Sequence, residues 1–375
     1  MRAPGLGAER LRRLVEQHGG AGAALEAVLS GRAGVEVPPA ATSQLRGGDA
    51  ARIEADLAWL AEPNHHLLTW LDEDYPALLR ESPRPPAALF VRGDPGLLWH
   101  PQLAMVGSRN PTAGGADIAR AFAATLAGTG LAITSGLASG IDAAAHRGAL
   151  QAGGRTVAVV GTGVDLAYPA SHAALTDEIA ASGAVVSEFP LGTAARPPHF
   201  PLRNRIIAGL SLGTFVVEAA LRSGSLITAR LAGEAGREVF ALPGSIHNPM
   251  ARGCHRLIRD GARLVETAGE IIEELRPLAQ ALAGRLRADL APDALDDPGT
   301  VDISDGPDAA DRLADPDYRS LWRALGHDPQ PVDVLAERSG LTTPQISSML
   351  LLMELDGLIT VGANGRYSRA DRTVE

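Results

Sequence analysis

Seven short apolar runs, each followed by a stretch of helical periodicity, occupy the middle of the chain between residues 103 and 265. Short apolar strands that alternate with helices are typical of a parallel β-sheet covered by helices on both faces. The pattern therefore predicts an α/β fold with an extended Rossmann-like, doubly wound parallel sheet. The predicted strands are residues 103–106, 131–134, 156–160, 184–187, 213–217, 238–242 and 262–265.

The 375-residue chain is long enough for two or three domains. Residues 1–65 have helical periodicity with a Pro/Ala/Gly-rich break at 31–50, and they predict a small helical domain. Residues 66–100 form a proline-rich connector in which Leu89, Phe90 and Val91 make a short strand that packs on the core. The remaining predicted parts are the Rossmann-like core at 101–280, a flexible acidic linker at 281–317 and a winged helix-turn-helix domain at 318–375.

The C-terminal segment has the order of elements that a winged helix requires. One helix begins at Val332 and ends at Gly340, Thr343 caps a second helix, and strands at 358–361 and 366–369 form a two-stranded wing. The second helix presents no arginine to read guanine edges, so sequence-specific reading of DNA is not expected. Two roles remain, namely contact with duplex phosphates through Arg366 and Arg369, and binding to a protein.

The formal net charge of −10 argues by itself against a nucleic-acid-binding protein, because phosphates are neutralised by cationic side chains. The distribution of charge changes that conclusion. Residues 101–270 contain 14 arginines against 12 Asp plus Glu, a net of +2, whereas residues 281–317 contain 10 aspartates against 3 arginines, a net of −7. The acidity is therefore concentrated in the linker, and the core remains compatible with an anionic ligand.

Glycine and serine recur in the segments that follow the predicted strands, where doubly wound folds bind their ligands. These residues allow backbone N–H groups to approach a phosphate closely and supply hydroxyl donors. Together with Arg109, Arg203 and Arg205 they predict a phosphate-binding surface. The alternative is that the glycines only make tight turns, which leaves Arg109 unexplained. The residues concerned are Gly107, Ser108, Ser135, Gly136, Gly140, Gly163, Ser223, Gly224 and Ser225.

Residues 199–211 place Arg203, Asn204 and Arg205 just behind Pro201 at the start of a predicted helix. Proline is favoured in the first helical turn, and the helix dipole makes this end suitable for an anion. Cations at a positive helix end disfavour folding, so we predict that something negative binds there. Arg203 and Arg205 are about 200° apart around a helix, so the sequence leaves open which of them faces the ligand.

Two pairs of titratable residues have alternative roles. Asp142 and His146, four residues apart on a helix, are consistent with an acid/base couple or with a buried pair that steadies the loop, and the buried pair is favoured. Glu188 and Glu218 are expected to orient the arginines, because no nucleophile or metal cluster accompanies them. Neither the GxGxxG dinucleotide motif with its later acid nor the P-loop motif is present, so no cofactor is predicted.

The one cysteine, Cys254, has no CxxC or HxxxH partner and is predicted to be a small packed residue outside any disulfide or metal site. No apolar run reaches the roughly 18 residues of a membrane helix. Residues 1–20 carry arginines without an apolar signal core. We therefore expect a cytoplasmic protein with no membrane insertion.

Seven segments between about 100 and 275 resemble, in order, the motifs of the DprA/Smf DNA-processing family. The flanks fit the N-terminal SAM-like helical domain and the C-terminal winged helix of that family. The segments are Gly107-Ser108-Arg109, residues 135–142 with His146, Gly163-Val164-Asp165 with Tyr168-Pro169, Ser187-Glu188, residues 200–211, residues 223–229, and Pro243-Gly244.

The resemblance implies a non-catalytic homodimer that binds single-stranded DNA without strong sequence preference, protects it, and loads the RecA recombinase during natural transformation. Carried onto this chain, Arg109 and the Arg203/Arg205 pair would contact DNA. The full predicted DNA-binding set is Gly107, Ser108, Arg109, Ser135, Gly136, Gly140, Gly163, Phe200, Arg203, Asn204, Arg205, Ser223, Gly224 and Ser225.

Apolar residues supply two further predictions. Phe200 is the candidate on which a base stacks, with a core-facing position as the alternative. Leu257, Ile258 and Leu264, near the last edge of the sheet, are candidates for the dimer interface, and core packing accounts for them equally well.

The chain departs from the family pattern after Tyr168-Pro169, where some members carry basic residues and this sequence has Ala170, Ser171 and His172. Two other classes remain open. A nucleotide-binding hydrolase related to the lysine-decarboxylase-like nucleoside monophosphate phosphoribohydrolases would share the sheet, but the PGGxGTxxE motif of those enzymes is absent. A transcription regulator would depend on the winged helix alone.

Overall fold

The structure, a computed structural model, describes residues 3–48, 50–290, 316–325, 330–341, 346, 349–350, 353–354, 358–362 and 366–369. The chain divides into two compact units, Met1–Arg287 and Ala288–Glu375. Each unit has its own hydrophobic core.

Four helices precede the sheet, namely α1 (Ala8–His18), α2 (Ala21–Leu29), α3 (Pro39–Gly47) and α4 (Ala50–Leu60). The prediction of a break in helical structure at 31–50 is wrong for residues 39–47, which form α3. This helix buries Ala41 completely in the N-terminal core. Proline is tolerated at the start of α3 because its missing N–H is not needed in the first helical turn. In α4, Ile53 and Leu57 are exposed.

A nine-stranded sheet forms the centre of the first unit. In chain order the strands are β1 (His65–Thr69), β2 (Ala88–Gly93), β3 (Gln102–Val106), β4 (Ala132–Ser135), β5 (Thr156–Val159), β6 (Ala184–Ser187), β7 (Gly213–Val216), β8 (Glu238–Ala241) and β9 (Arg263–Leu264). They lie in the order β1-β2-β6-β5-β4-β3-β7-β8-β9. Because β3 to β9 are parallel throughout, the predicted doubly wound parallel sheet is confirmed.

The connector at 66–100 contributes two strands to this sheet, where the sequence predicted one. β1 pairs antiparallel with β2, and β2 pairs antiparallel with β6. Tyr75, between the two strands, is fully buried and donates its hydroxyl to the carbonyl oxygen of Pro86 at 2.8 Å. The connector is therefore an integral edge of the sheet.

The helices of the core are α5 (Ala77–Arg80), α6 (Ala113–Gly128), α7 (Ile141–Gln151), α8 (Ala173–Ser182), α9 (His199–Leu210), α10 (Ser225–Glu234), α11 (Arg252–Arg259) and α12 (Ala268–Leu290), with 3₁₀ turns at Pro95–Trp99 and Ala170–His172. Thr112 caps α6, because its Oγ1 accepts the N–H of Gly115 at 3.0 Å. α12 extends to Leu290, so the first part of the predicted flexible linker is helical. Residues 291–315 of that linker lie outside the described residues.

Apolar side chains alternate between the two faces of the sheet, as the pleat of a strand requires. In β3, Leu103 and Met105 pack on the face covered by α6, α7 and α12, whereas Ala104 and Val106 pack on the face covered by α9, α10 and α11. Burial of a side chain such as Met105 contributes about 1.5–3 kcal/mol. Cys254 of α11 is fully buried in the second of these faces, as predicted.

The second unit contains α13 (Pro316–Ala324), α14 (Val332–Ser339), β10 (Ile359–Gly362) and β11 (Arg366–Arg369). β10 and β11 pair antiparallel with Ile359 opposite Arg369, which confirms the predicted wing strands. The predicted second helix, from Thr343, lies mostly outside the described residues. None of the helices in the described parts of either unit is long and apolar enough to span a bilayer.

Candidate nucleic-acid interface

The loops that follow the parallel strands all lie at one edge of the sheet, which we call the carboxyl edge. The strand order reverses at β3, whose neighbours are β4 and β7. Ligands of doubly wound folds bind in the crevice at such a reversal. The contacts that each predicted site residue makes at this edge decide whether it is available to a ligand.

Arg109 is exposed at the carboxyl end of β3, and its guanidinium lies 5.3 Å from the centre of the Phe200 ring. Phe200, in the first turn of α9, is only half-buried, so the core-facing alternative is not what the structure shows. The ring of Tyr168 lies 5.5 Å from that of Phe200, and Tyr168 is 46% exposed. Sequence reasoning assigned no role to Tyr168, although its position in the Tyr-Pro segment after β5 was the available signal.

Arg203 is 5% exposed, which corrects the prediction that it contacts DNA. Its guanidinium donates to the carbonyl oxygen of Gly136 at 2.5 Å and to that of Val159. Burial lowers the pKa of Arg203 to about 10, against the opposing effect of Asp142. Arg203 therefore links the carboxyl ends of β4 and β5 through buried hydrogen bonds.

Gly136 and Gly140 are needed for close approach between chain segments. A Cβ at position 136 would lie 2.1 Å from Nη1 of Arg203, and one at position 140 would lie 2.3 Å from the carbonyl oxygen of Ser108. This close packing requires glycine at both positions whether or not a ligand binds, so their predicted DNA contacts stay predictions.

Asp142 and His146 bond to different partners. The Asp142 carboxylate accepts the N–H groups of Gly136 and Ala138 at 3.2 and 3.4 Å, and burial raises its pKa against the effect of Arg203. His146 contacts Thr156 Oγ1 at 2.7 Å, and burial, followed by the charge of Arg203, lowers its pKa to about 3. These contacts agree with the favoured interpretation that both residues are structural. Asp142 and His146 do not, however, bond to each other as the predicted buried pair would.

Arg205 lies on the other side of α9 and pairs with Glu188 at 2.5 Å. The two side chains are 14% and 16% exposed, so Arg205 is a largely buried, neutralised cation. This corrects its predicted role as a free DNA contact. It matches the expectation that Glu188 orients an arginine.

Two more predicted donors are occupied inside the protein. Ser135 is fully buried, with its hydroxyl donated to the carbonyl oxygen of Met105 at 2.6 Å. Gly163 is also buried, and its N–H donates to the carbonyl oxygen of Thr193 at 2.9 Å. Neither residue is available to a phosphate, so both predictions are corrected.

The segment Ser223–Ser225 remains accessible in part at the N-terminus of α10. Gly224 is exposed, and the hydroxyl groups of Ser223 and Ser225 lie 2.6 Å apart, although Ser225 itself is buried. Asn204 donates its amide to the carbonyl oxygen of Gly224 at the long distance of 3.5 Å. The predictions for this loop, and for half-buried Gly107 and Ser108, stay predictions.

Glu218 does not orient an arginine, contrary to expectation. It is 6% exposed, and its carboxylate accepts the N–H and the hydroxyl of Thr112 at 2.8 and 2.7 Å, with Asn248 Nδ2 at 3.3 Å. Glu218 thus occupies the N-terminus of α6, the place where Rossmann-like folds bind phosphate. A cavity of about 190 Å³ beside it is lined by residues that include Gly115, Pro243 and Gly244.

The predicted interface residues separate into two kinds. Leu257 and Ile258 are partly buried and pack on the core, as the alternative stated. Leu264, on the edge strand β9, is 45% exposed.

In the second unit, Arg366 is exposed, whereas Arg369 lies 4.5 Å from the Trp322 ring and donates to the Trp322 carbonyl oxygen. The predicted phosphate contacts by Arg366 and Arg369 stay predictions.

The fold defines a Rossmann-like α/β protein with a winged helix domain. The model of the family described as DNA recombination-mediator protein A matches residues 66–276, and the model of the DprA winged helix domain matches residues 305–365. The chain belongs to the DprA/Smf family of DNA-processing proteins.

Similar proteins support this membership. Protein Smf of Escherichia coli (strain K12) is 46% identical over 321 residues, which cover 85% of this chain and 81% of that protein. A solved structure of DprA from Streptococcus pneumoniae is 37% identical with a TM-score of 0.65, covering 73% of this chain and 95% of that one. DNA processing protein A from Helicobacter pylori, whose structure is described for its single-stranded DNA binding mode, is 29% identical with a TM-score of 0.51, covering 57% of this chain and 96% of that one.

Proposed function

We propose that this protein binds single-stranded DNA along the carboxyl edge without sequence preference, in the cytoplasm and without catalysing a reaction. In this proposal it protects the strand and loads RecA on it, as the family resemblance implies. The observation that carries the proposal is the exposed Arg109 guanidinium stacked over the half-buried Phe200 ring.

This arrangement offers the two contacts that single-strand binding uses. A cation attracts phosphates, and an aromatic face stacks with any base. Arg109 has no carboxylate partner among the ion pairs of the described residues, whereas Arg205 has Glu188. A strand of phosphates would supply the missing anion.

We also propose that the protein works as a homodimer joined at the β9 edge. The exposed Leu264 side chain on a short edge strand supports this assignment. Few phosphate contacts in each protomer give modest affinity, and a second groove on the same strand raises it through avidity. The oligomeric state in solution tests this part of the proposal.

Replacement of Arg109 by alanine is expected to weaken binding to single-stranded oligonucleotides about 10-fold at moderate salt. The slope of log affinity against log salt should fall by about 0.7, the share of one phosphate contact in a single strand. Fluorescence anisotropy with single-stranded and duplex oligonucleotides measures both quantities.

Arg155→Ala is the matched control, because Arg155 is exposed just before β5, at the opposite edge of the sheet. Unchanged affinity of a folded Arg109→Ala variant would contradict the proposed site. Release of free base from nucleoside monophosphates would support the hydrolase alternative instead, and tight binding of one duplex sequence would support a regulator.

A further inference from the structure

The two sides of the carboxyl edge have different chemistry. On the side of β5 and β6, apolar and aromatic side chains face solvent, and we call Tyr168 and Phe200 the aromatic wall. Tyr168 is 46% exposed, and Leu166 and Leu202, each two residues along the chain from one of the two aromatic residues, are 38% and 47% exposed. Partly exposed aromatic rings offer a surface to flat, apolar groups.

The loops after β7 and β8, at 217–225 and 242–252, contain no Phe, Tyr or Trp; they carry cations together with the exposed apolar residues Leu221 and Ile246. Arg222 and Arg252 are both exposed, and we call them the arginine wall. They belong to segments joined at Ala219, whose N–H donates to the carbonyl oxygen of Met250 and whose carbonyl oxygen accepts the N–H of Gly253, both at 2.7 Å. Arg222 follows Ala219 by three residues and Arg252 directly precedes Gly253, so the backbone brings both arginines to one region.

The arginine wall is not neutralised by its own segments. Residues 219–233 and 242–259 contain no aspartate or glutamate. The nearby Glu218 carboxylate is buried and committed to Thr112 and Asn248. The backbone also holds Arg109 near these segments. The N–H of the preceding residue, Ser108, donates to the carbonyl oxygen of Glu218, which directly precedes Ala219, at 2.7 Å.

The geometry points to a bound strand with a fixed sidedness, in which bases stack on the aromatic wall and phosphates face the arginine wall, with Arg109 between the two. This inference depends on the proposed single-strand binding and adds the residues that distinguish base from backbone. It also gives a physical reason for selecting single strands, since the base faces of a duplex are stacked on each other and cannot reach Tyr168.

The two walls predict different responses to the loss of bases. Stacking needs the base but is insensitive to salt, whereas an arginine contact needs only the phosphate and weakens with salt. An abasic phosphodiester strand is therefore the probe that separates them.

The test is anisotropy of the full chain with oligo-dT and with an abasic strand of equal length, each over a range of salt. Tyr168→Ala should weaken oligo-dT binding about 10-fold and leave binding of the abasic strand within about twofold, with the salt slope unchanged. Tyr168→Phe, which keeps the ring, should bind oligo-dT as the wild type does. Arg222→Ala and Arg252→Ala should weaken binding of both strands by equal factors and reduce the salt slope.

Three outcomes decide the inference. The inference would be overturned if Tyr168→Ala lost equal affinity for both strands. It would also be overturned if the two arginine variants lost affinity for oligo-dT alone. Unchanged oligo-dT binding by folded Tyr168→Ala would also overturn it while leaving single-strand binding intact. If the wild-type chain binds neither strand, the proposed function itself fails.

Discussion

Arg203→Met is expected to lower the free energy of unfolding by about 3–5 kcal/mol, because it leaves two buried carbonyl acceptors unpaired and removes a buried cation near a buried carboxylate. The substitution removes the favourable electrostatic effect of Arg203 on the buried Asp142 carboxyl group, whose pKa Arg203 lowers. It also removes the donor to the carbonyl oxygens of Gly136 and Val159. Buried acceptors that lose their donors retain the full cost of desolvation.

Urea unfolding of the full chain, followed through the transition of the first unit, measures this loss. Arg196→Met is the matched control, because Arg196 is exposed and the same change there should stay within about 0.5 kcal/mol. Adding Asp142→Asn to Arg203→Met should recover part of the stability, because the unpaired charge is removed. A stable Arg203→Met variant that no longer binds DNA would instead place Arg203 at the ligand.

Glu218→Ala should be the second most costly change, at about 2–4 kcal/mol. It leaves the N–H and hydroxyl of Thr112 and the amide of Asn248 without their common acceptor. The favourable interaction of a carboxylate with the positive end of α6 is lost as well. Glu218→Gln, which keeps the size of the side chain, should lose less stability.

The same variant tests whether Glu218 stands where a phosphate binds in related folds. Glu218→Ala should be stabilised by sulfate more than the wild type is, at an ionic strength matched with chloride, because the freed helix end can bind the anion. The thermal midpoints of the two proteins measure the difference. Equal shifts in both proteins would show that no anion site opens.

The sheet could be predicted from the sequence because its strands are buried on both faces and are therefore continuously apolar. Leu103 to Val106 illustrate this, since neighbouring residues of β3 enter opposite cores. The two connector strands were not both predicted. β1 contains two histidines, His65 and His66, and its place at the sheet depends on pairing with β2, which local pattern does not specify.

The site was predicted less completely, because residue type does not determine which face of an element is buried. Arg203 was interpreted as a surface cation from its position at a helix start. Its spacing carried the opposite signal, since Ile206, Ile207 and Leu210 follow at i+3, i+4 and i+7 and are all buried. That spacing places Arg203 on the core face of α9, where only tertiary partners such as Asp142 make a charge acceptable.

Hydrogen–deuterium exchange of the full chain, with and without oligo-dT, tests most directly whether the carboxyl edge is the DNA-binding surface. If DNA binds at the carboxyl edge, exchange should be slower in peptides that cover residues 107–112, 161–170 and 222–228, and unchanged at 151–156 on the opposite edge. Protection confined to other parts of the chain, with the carboxyl-edge peptides unchanged at saturating DNA, would contradict it.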